Sequence, residues 1–164
     1  MTRTGGISFL RSMSPDRAAA ILCERLADRA LAQRLFAGTD LADLAPLALY
    51  TSGGCRVAAG AMANLLDLPA VEVLGPNDES LHLAVRIGDG RLIDAEGLTT
   101  VAAMRERWAR ILDVERRAIR VVPCDVATLR VLITDDPNGG AARVAALQAA
   151  LGAQLPQGVI DALR

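Results

Sequence analysis

The feature that most constrains this chain is a run of small residues, Ala58-Ala59-Gly60-Ala61 and Ala63, within the segment TSGGCRVAAGAMANLLDLP from Thr51 to Pro69. A helix whose sides are mostly methyl groups or hydrogen lets other elements approach closely from several directions, so it belongs at the centre of a domain rather than on its surface. Pro69 stops this helix, and Gly53-Gly54 lets the backbone turn sharply before it, which predicts a helix from Cys55 to about Leu66. Cys55 then stands on the first turn. A cysteine in mid-helix is ordinary core filler, as we read Cys23, but one at the helix start meets the positive end of the macrodipole, which favours the thiolate.

From Ala70 the apolar period changes from helical to two. Ala70 to Leu74 reads as a strand, Gly75-Pro76-Asn77-Asp78 as a turn, and LHLAVRIGDGRLIDAEG, Leu81 to Gly97, as a hairpin. Ala118 to Pro123 supplies a further strand. Helices are expected on both sides of this centre. Ser14-Pro15-Asp16 starts one that runs to Ala37, and a shorter one from Leu41 to Leu49 follows Asp40 and is interrupted at Pro46. Thr99 or Thr100 caps another through Leu112, carrying Met104, Trp108 and Ile111. Asp125 to Leu132, Ala141 to Leu151 and Gln157 to Leu163 close the chain, with DDPNGG, from Asp135, as a loop.

The expected class is therefore α+β, in one domain over 1–164: N-terminal helices in 1–50, the cysteine helix and sheet in 51–123, and C-terminal helices in 124–164. A chain of 164 residues that is 52% hydrophobic is long and apolar enough for one core. With 18 basic residues, all arginine, against 19 acidic ones, no charge excess draws a polyanion. Aromatic residues at 2% leave no stacking platform either, so nucleic acid is excluded as a partner. Cys23, Cys55 and Cys124 are odd in number and far apart, which indicates neither a disulfide framework nor a zinc site and suits a reducing compartment. No apolar run is long enough for a membrane span or a signal sequence, so a cytoplasmic location and no membrane association are expected.

His82 is the sole histidine and follows Cys55 in the hairpin. Strand alternation sets Leu81, Leu83, Val85 and Ile87 on a core face and His82, Ala84 and Arg86 on the other. Leu92, Asp94 and Glu96 share one side of the returning strand, and Arg91, Ile93 and Ala95 the other. Whether His82 meets an acid depends on the turn. A two-residue loop, Asp89-Gly90, puts Asp94 opposite Val85 and on the wrong side. A three-residue loop, Gly88-Asp89-Gly90, pairs Ile87 with Arg91, sets Ala84 facing Asp94, and makes His82 and Asp94 diagonal neighbours, with α-carbons about 7–8 Å apart. Glu96 then lies across from His82 as a rival to Asp94. Such a group supports nucleophilic catalysis: Cys55 attacks an acyl carbon, His82 carries the proton, and Asp94 fixes the imidazole tautomer. Amides around Gly54 and Cys55 are candidate oxyanion donors, and Gln33, Tyr50 and Ser52 are candidates for a second donor.

The segment GGCRVAAGAMANLLDLP, then a strand, then LHLAVRIGDGRLIDAEG resembles the core of the papain-like cysteine superfamily, over Thr51 to Gly97. The hairpin resembles that of NlpC/P60 peptidases. Asp94 at the third position, and the short spacing from Cys55 to His82, resemble transglutaminase-like members and arylamine N-acetyltransferases, although Leu83 and Ala84 replace the aromatic usual after the histidine. The resemblance implies a central nucleophile helix packed on a small antiparallel sheet, with extra helices at both ends. It also implies a peptidase, deamidase or transglutaminase-like enzyme that hydrolyses or transfers acyl groups at an amide bond. The triad would be Cys55, His82 and Asp94, Gly54 and Tyr50 would line the substrate, and no metal or cofactor would be used. The substrate would be a peptide or protein.

Two other readings compete: a catalytically inactive domain of the same fold that binds a peptide or protein, and a helical module whose C-terminal RVAALQAALGAQL docks a partner protein. Asp135-Asp136 reads as loop and cap rather than a metal site. The arginines of MRERWARILDVERR, interleaved with Glu106, Asp113 and Glu115, read as a solvated helix face.

Overall fold

A computed structural model of the chain describes residues 13–137 and 140–164. Part of the DDPNGG loop and the N-terminal stretch read above for a signal sequence lie outside them. Helix α1 (Pro15–Leu26) starts where Ser14 accepts a hydrogen bond from the Arg17 N–H at 3.3 Å and Pro15 takes the first helical position. The single helix expected to Ala37 is instead two. Asp28 accepts from the Leu31 N–H at 3.1 Å and restarts the chain as α2 (Arg29–Leu35), so its carboxylate competes with helix continuation rather than decorating a solvent face. Pro46 likewise opens α3 (Pro46–Ser52) and interrupts nothing, because a first-turn residue needs no N–H.

Helix α4 (Cys55–Leu66) has the expected bounds and is buried along most of its length. Around it stand α6 (Val126–Thr134), α7 (Ala141–Gln154) and α8 (Gln157–Leu163), while α5 (Val101–Leu112) lies on the far side of the sheet. The small residues do what their size predicts: a methyl added at Gly60 would sit 2.7 Å from Ile133 Cδ1 and 3.2 Å from Val144 Cγ2. Val144, Leu147 and Leu151, the apolar stripe of α7, are buried in this same core.

Strands β1 (Ala70–Leu74), β2 (Ser80–Arg86), β3 (Leu92–Asp94), β4 (Gly97–Thr99) and β5 (Arg120–Cys124) form one antiparallel sheet in the order β4-β3-β2-β1-β5. The class is α+β. Two differences from the sequence reading matter for the site. The returning strand ends at Asp94, and the chain turns through Ala95-Glu96 into β4, with Gly97 at φ 122°, so Glu96 is exposed and does not lie across from His82. Both sheet faces are also buried. Leu83, Val85 and Ile93 join the core around α4, whereas Val71, Val73, Ala84 and Leu92 form a second layer with Met104 and Ala109 of α5. Among the described residues no helix is long and apolar enough to cross a membrane.

Candidate active site

The hairpin takes the three-residue turn. The Ile87 N–H donates to the Arg91 carbonyl at 2.9 Å and the Gly90 N–H to the Ile87 carbonyl at 2.9 Å, with Gly90 at φ 86° in the left-handed region that a side chain resists. Val85 then pairs with Ile93 and Arg86 with Leu92, which brings Asp94 beside Ala84 and diagonal to His82. A second irregularity lies just before His82. Val73 pairs with His82 but Leu74 with Ser80, so Leu81 is an extra residue in β2. The bulge turns Leu81 out of the expected alternation, and it packs with the α5 layer rather than with Leu83 and Val85.

His82 and Asp94 are each 2% exposed, and His82 Nε2 lies 2.9 Å from Asp94 Oδ2. The ionised carboxylate accepts, so Nε2 carries a proton, and the other ring nitrogen faces elsewhere. That nitrogen, Nδ1, is buried with no hydrogen-bond partner among the described residues. Cys55, 8% exposed at the start of α4, lines the same cavity of about 330 Å³ as His82, with Ser52, Ser80, Arg56 and Asp136 also on its wall. Burial is the largest single influence on the imidazole and lowers its pKa, but the hydrogen bond to Asp94, the charge of that carboxylate and the nearness of Cys55 outweigh it and raise the value to about 9. Burial also acts most strongly on Asp94, in the raising direction. The hydrogen bonds from His82 and Arg107 overcome it and hold the carboxyl below the usual range.

Arg107 is the residue the sequence reading missed. Its guanidinium projects from the supposedly solvated face of α5, with Nη2 2.6 Å from Asp94 Oδ2 and Nη1 paired with Glu96. The Glu96 N–H donates to Asp94 Oδ1 at 2.9 Å. Trp108, next in α5, sets its indole 5.6 Å from the His82 ring. Arginines spaced among acids on one helix carry no sign of a partner supplied by a distant strand, so nothing local could single out Arg107.

The remaining candidates separate. Gly54 does not offer its amide to a ligand: that N–H donates to the Leu49 carbonyl at 2.9 Å. The residue is glycine for space, since a methyl there would come within 2.6 Å of Leu49 Cδ2 and 3.2 Å of Phe36 Cζ. The Cys55 N–H, at the first helical position, has no acceptor within the helix. Tyr50 does not line the Cys55 cavity. It is 1% exposed, packed edge-on against Phe36 at 6.0 Å, and burial pushes its hydroxyl up to about 12. Of the three side chains considered for a second donor, Ser52 alone reaches the cavity, and Gln33 is exposed on α2. Asp136 lies 3.9 Å from Arg56, across the cavity rim, and Asp135 caps the end of α6. No protein-family model, curated protein or solved structure matches the chain.

Proposed function

We propose that this chain is a thiol-dependent hydrolase or acyltransferase acting at an amide bond of a peptide or protein, on a papain-like core, with Cys55, His82 and Asp94 as its triad. The observation that carries this reading is the orphaned Nδ1 of His82, in a ring held at its other nitrogen by Asp94, within the cavity that Cys55 lines. A buried nitrogen without a partner is costly, and an intact active site is one place where that cost is retained.

In the proposed reaction Cys55 gives its thiol proton to His82 Nδ1, the thiolate sulfur adds to the acyl carbon, and charge develops on the carbonyl oxygen near the Cys55 N–H. The C–N bond breaks as His82 delivers its Nδ1 proton to the departing amine, leaving a thioester on Cys55. Water or an amine then adds to the thioester, loses a proton to His82 and releases the thiolate. Asp94 stays ionised throughout and keeps the ring oriented.

The test is iodoacetamide labelling followed for each cysteine by mass spectrometry, across pH, in the native chain and in His82→Ala. Cys23 and Cys124 are internal controls, because burial pushes both thiols up to about 11. Cys55 is expected to react fastest of the three at about pH 7, and to slow in His82→Ala. A Cys55 rate that climbs only above about pH 8.5 in both proteins, as an ordinary thiol does, overturns the proposal.

A further inference from the structure

Asp94 Oδ2 is shared. His82 Nε2 approaches it at 2.9 Å and Arg107 Nη2 at 2.6 Å, while Oδ1 is held separately by the Glu96 N–H at 2.9 Å. Oriented by the strand turn on one oxygen and by the imidazole on the other, the carboxylate needs no third donor to keep its place. What the guanidinium adds is charge, close to the one oxygen on which the imidazolium depends. We propose that Arg107 is a positioning residue of the site that competes with His82 for Asp94 Oδ2 and so restrains the basicity of the imidazole.

Among the described residues the charged and titratable groups around the ring and its carboxylate include Cys23 of α1, whose thiol donates to the Asp94 carbonyl at 3.4 Å. Cys55 approaches from α4, Asp94 from β3, Glu96 from the turn after it and Arg107 from α5, with Arg56 and Asp136 paired to one another across the cavity. Against the lowering effect of burial, Asp94 and Cys55 already leave His82 well above a free imidazole. A buried imidazolium bound by an undivided carboxylate holds its proton more tightly still, and one that cannot release Nδ1–H cannot protonate a departing amine. Arg107 opposes that drift in two ways: it draws electron density from Oδ2, and it places a like charge near the ring. Glu96 keeps it there, since the second guanidinium nitrogen is paired with that carboxylate and the whole group is about a quarter exposed, at 27%.

The inference rests on His82 as the proton carrier but is read out without chemistry at Cys55. His82 is the sole histidine, so its ring protons give one titration curve in the NMR spectrum of the full chain. Arg107→Gln and Arg107→Met both remove the charge, the first keeping a hydrogen-bond donor and the second the packing of the stem. In either folded variant the His82 midpoint is expected to rise by about one pH unit, the lower end of what a neighbouring charge produces. Arg107→Lys, which restores a cation, is expected to return it toward the native value. A midpoint that stays or falls in the neutral variants, or that rises equally in Arg107→Lys, overturns the proposal. The two proposals fail separately: a slow Cys55 with a raised midpoint sinks the enzyme, and a fast Cys55 with an unmoved midpoint sinks only the role of Arg107.

Discussion

His82 Nε2 and Asp94 Oδ2 meet at 2.9 Å although neither residue is paired with the other in the sheet; the contact is diagonal and exists because the hairpin turns over three residues. Two ionisable side chains, each 2% exposed, thus form a buried pair stapling β2 to β3. Removing Asp94 leaves the buried imidazole without its acceptor, which costs about 1–3 kcal/mol, whereas after loss of His82 the carboxylate is still paired with Arg107.

The pair makes stability depend on pH in a calculable direction. The folded-state pKa of His82 is about 9 against 6.5 for a free imidazole, so its contribution is complete below about pH 6.5 and is lost as pH rises through about 9. Asp94 is shifted down from 3.8, so its contribution is present above that value and is lost as pH falls through the folded value. Urea unfolding across pH is expected to show a maximum between these limits and a decline on the alkaline side. His82→Gln should abolish the decline between about pH 6.5 and 9, leaving only the one above it that Cys23, Cys124 and Tyr50 cause; an unchanged slope between about pH 6.5 and 9 refutes the assignment.

Trp108 offers an optical reading of the same titration. It is the sole tryptophan, and its ring lies 5.6 Å from that of the sole histidine. A charge appearing or vanishing at that distance alters indole emission, so fluorescence is expected to change with a midpoint near pH 9. His82→Gln should leave a flat trace there.

Gly54→Ala tests close packing at the head of α4. Its φ of −77° suits any residue, so the cost is purely steric, arising from Leu49 and Phe36. Overpacking of this kind destabilises by about 1–3 kcal/mol. Because Cys55 is the next residue, iodoacetamide labelling of Cys55 at neutral pH is also expected to change; full stability with native labelling would contradict the packing account.

Asp28→Ala tests the break between α1 and α2. Losing the bond to the Leu31 N–H is expected to cost about 1 kcal/mol, or roughly 2–4 °C in Tm for a chain of this size. Asp28→Ser or Asp28→Asn should recover most of it. Calorimetry of the three variants decides, and equal melting of Ala and Asn would show that the cap is idle.

Local chemistry was enough to read the centre of this molecule. Side-chain size along Ala58 to Ala63 made α4 a central helix, Gly53-Gly54 and Pro69 bounded it, and the period of two from Ala70 placed the hairpin. Those signals are written in consecutive residues, and no distant element overrides them. The order Cys55, His82, Asp94 could also be read, but their meeting could not, since a shift of one residue in the hairpin would have turned Asp94 to the opposite face.

Tertiary structure decided the rest, for reasons that lie in distant contacts. The three-residue turn is held by two backbone hydrogen bonds and a left-handed Gly90, and Glu96 is removed from His82 by an unforeseen strand, β4. Tyr50 went into the core and the Gly54 amide to Leu49, because burial leaves no polar backbone group idle when an acceptor is near. Arg107 shows the limit most plainly: its neighbours in sequence mark a solvated helix, and its partner is Asp94, which only the packing of α5 over the sheet brings within reach.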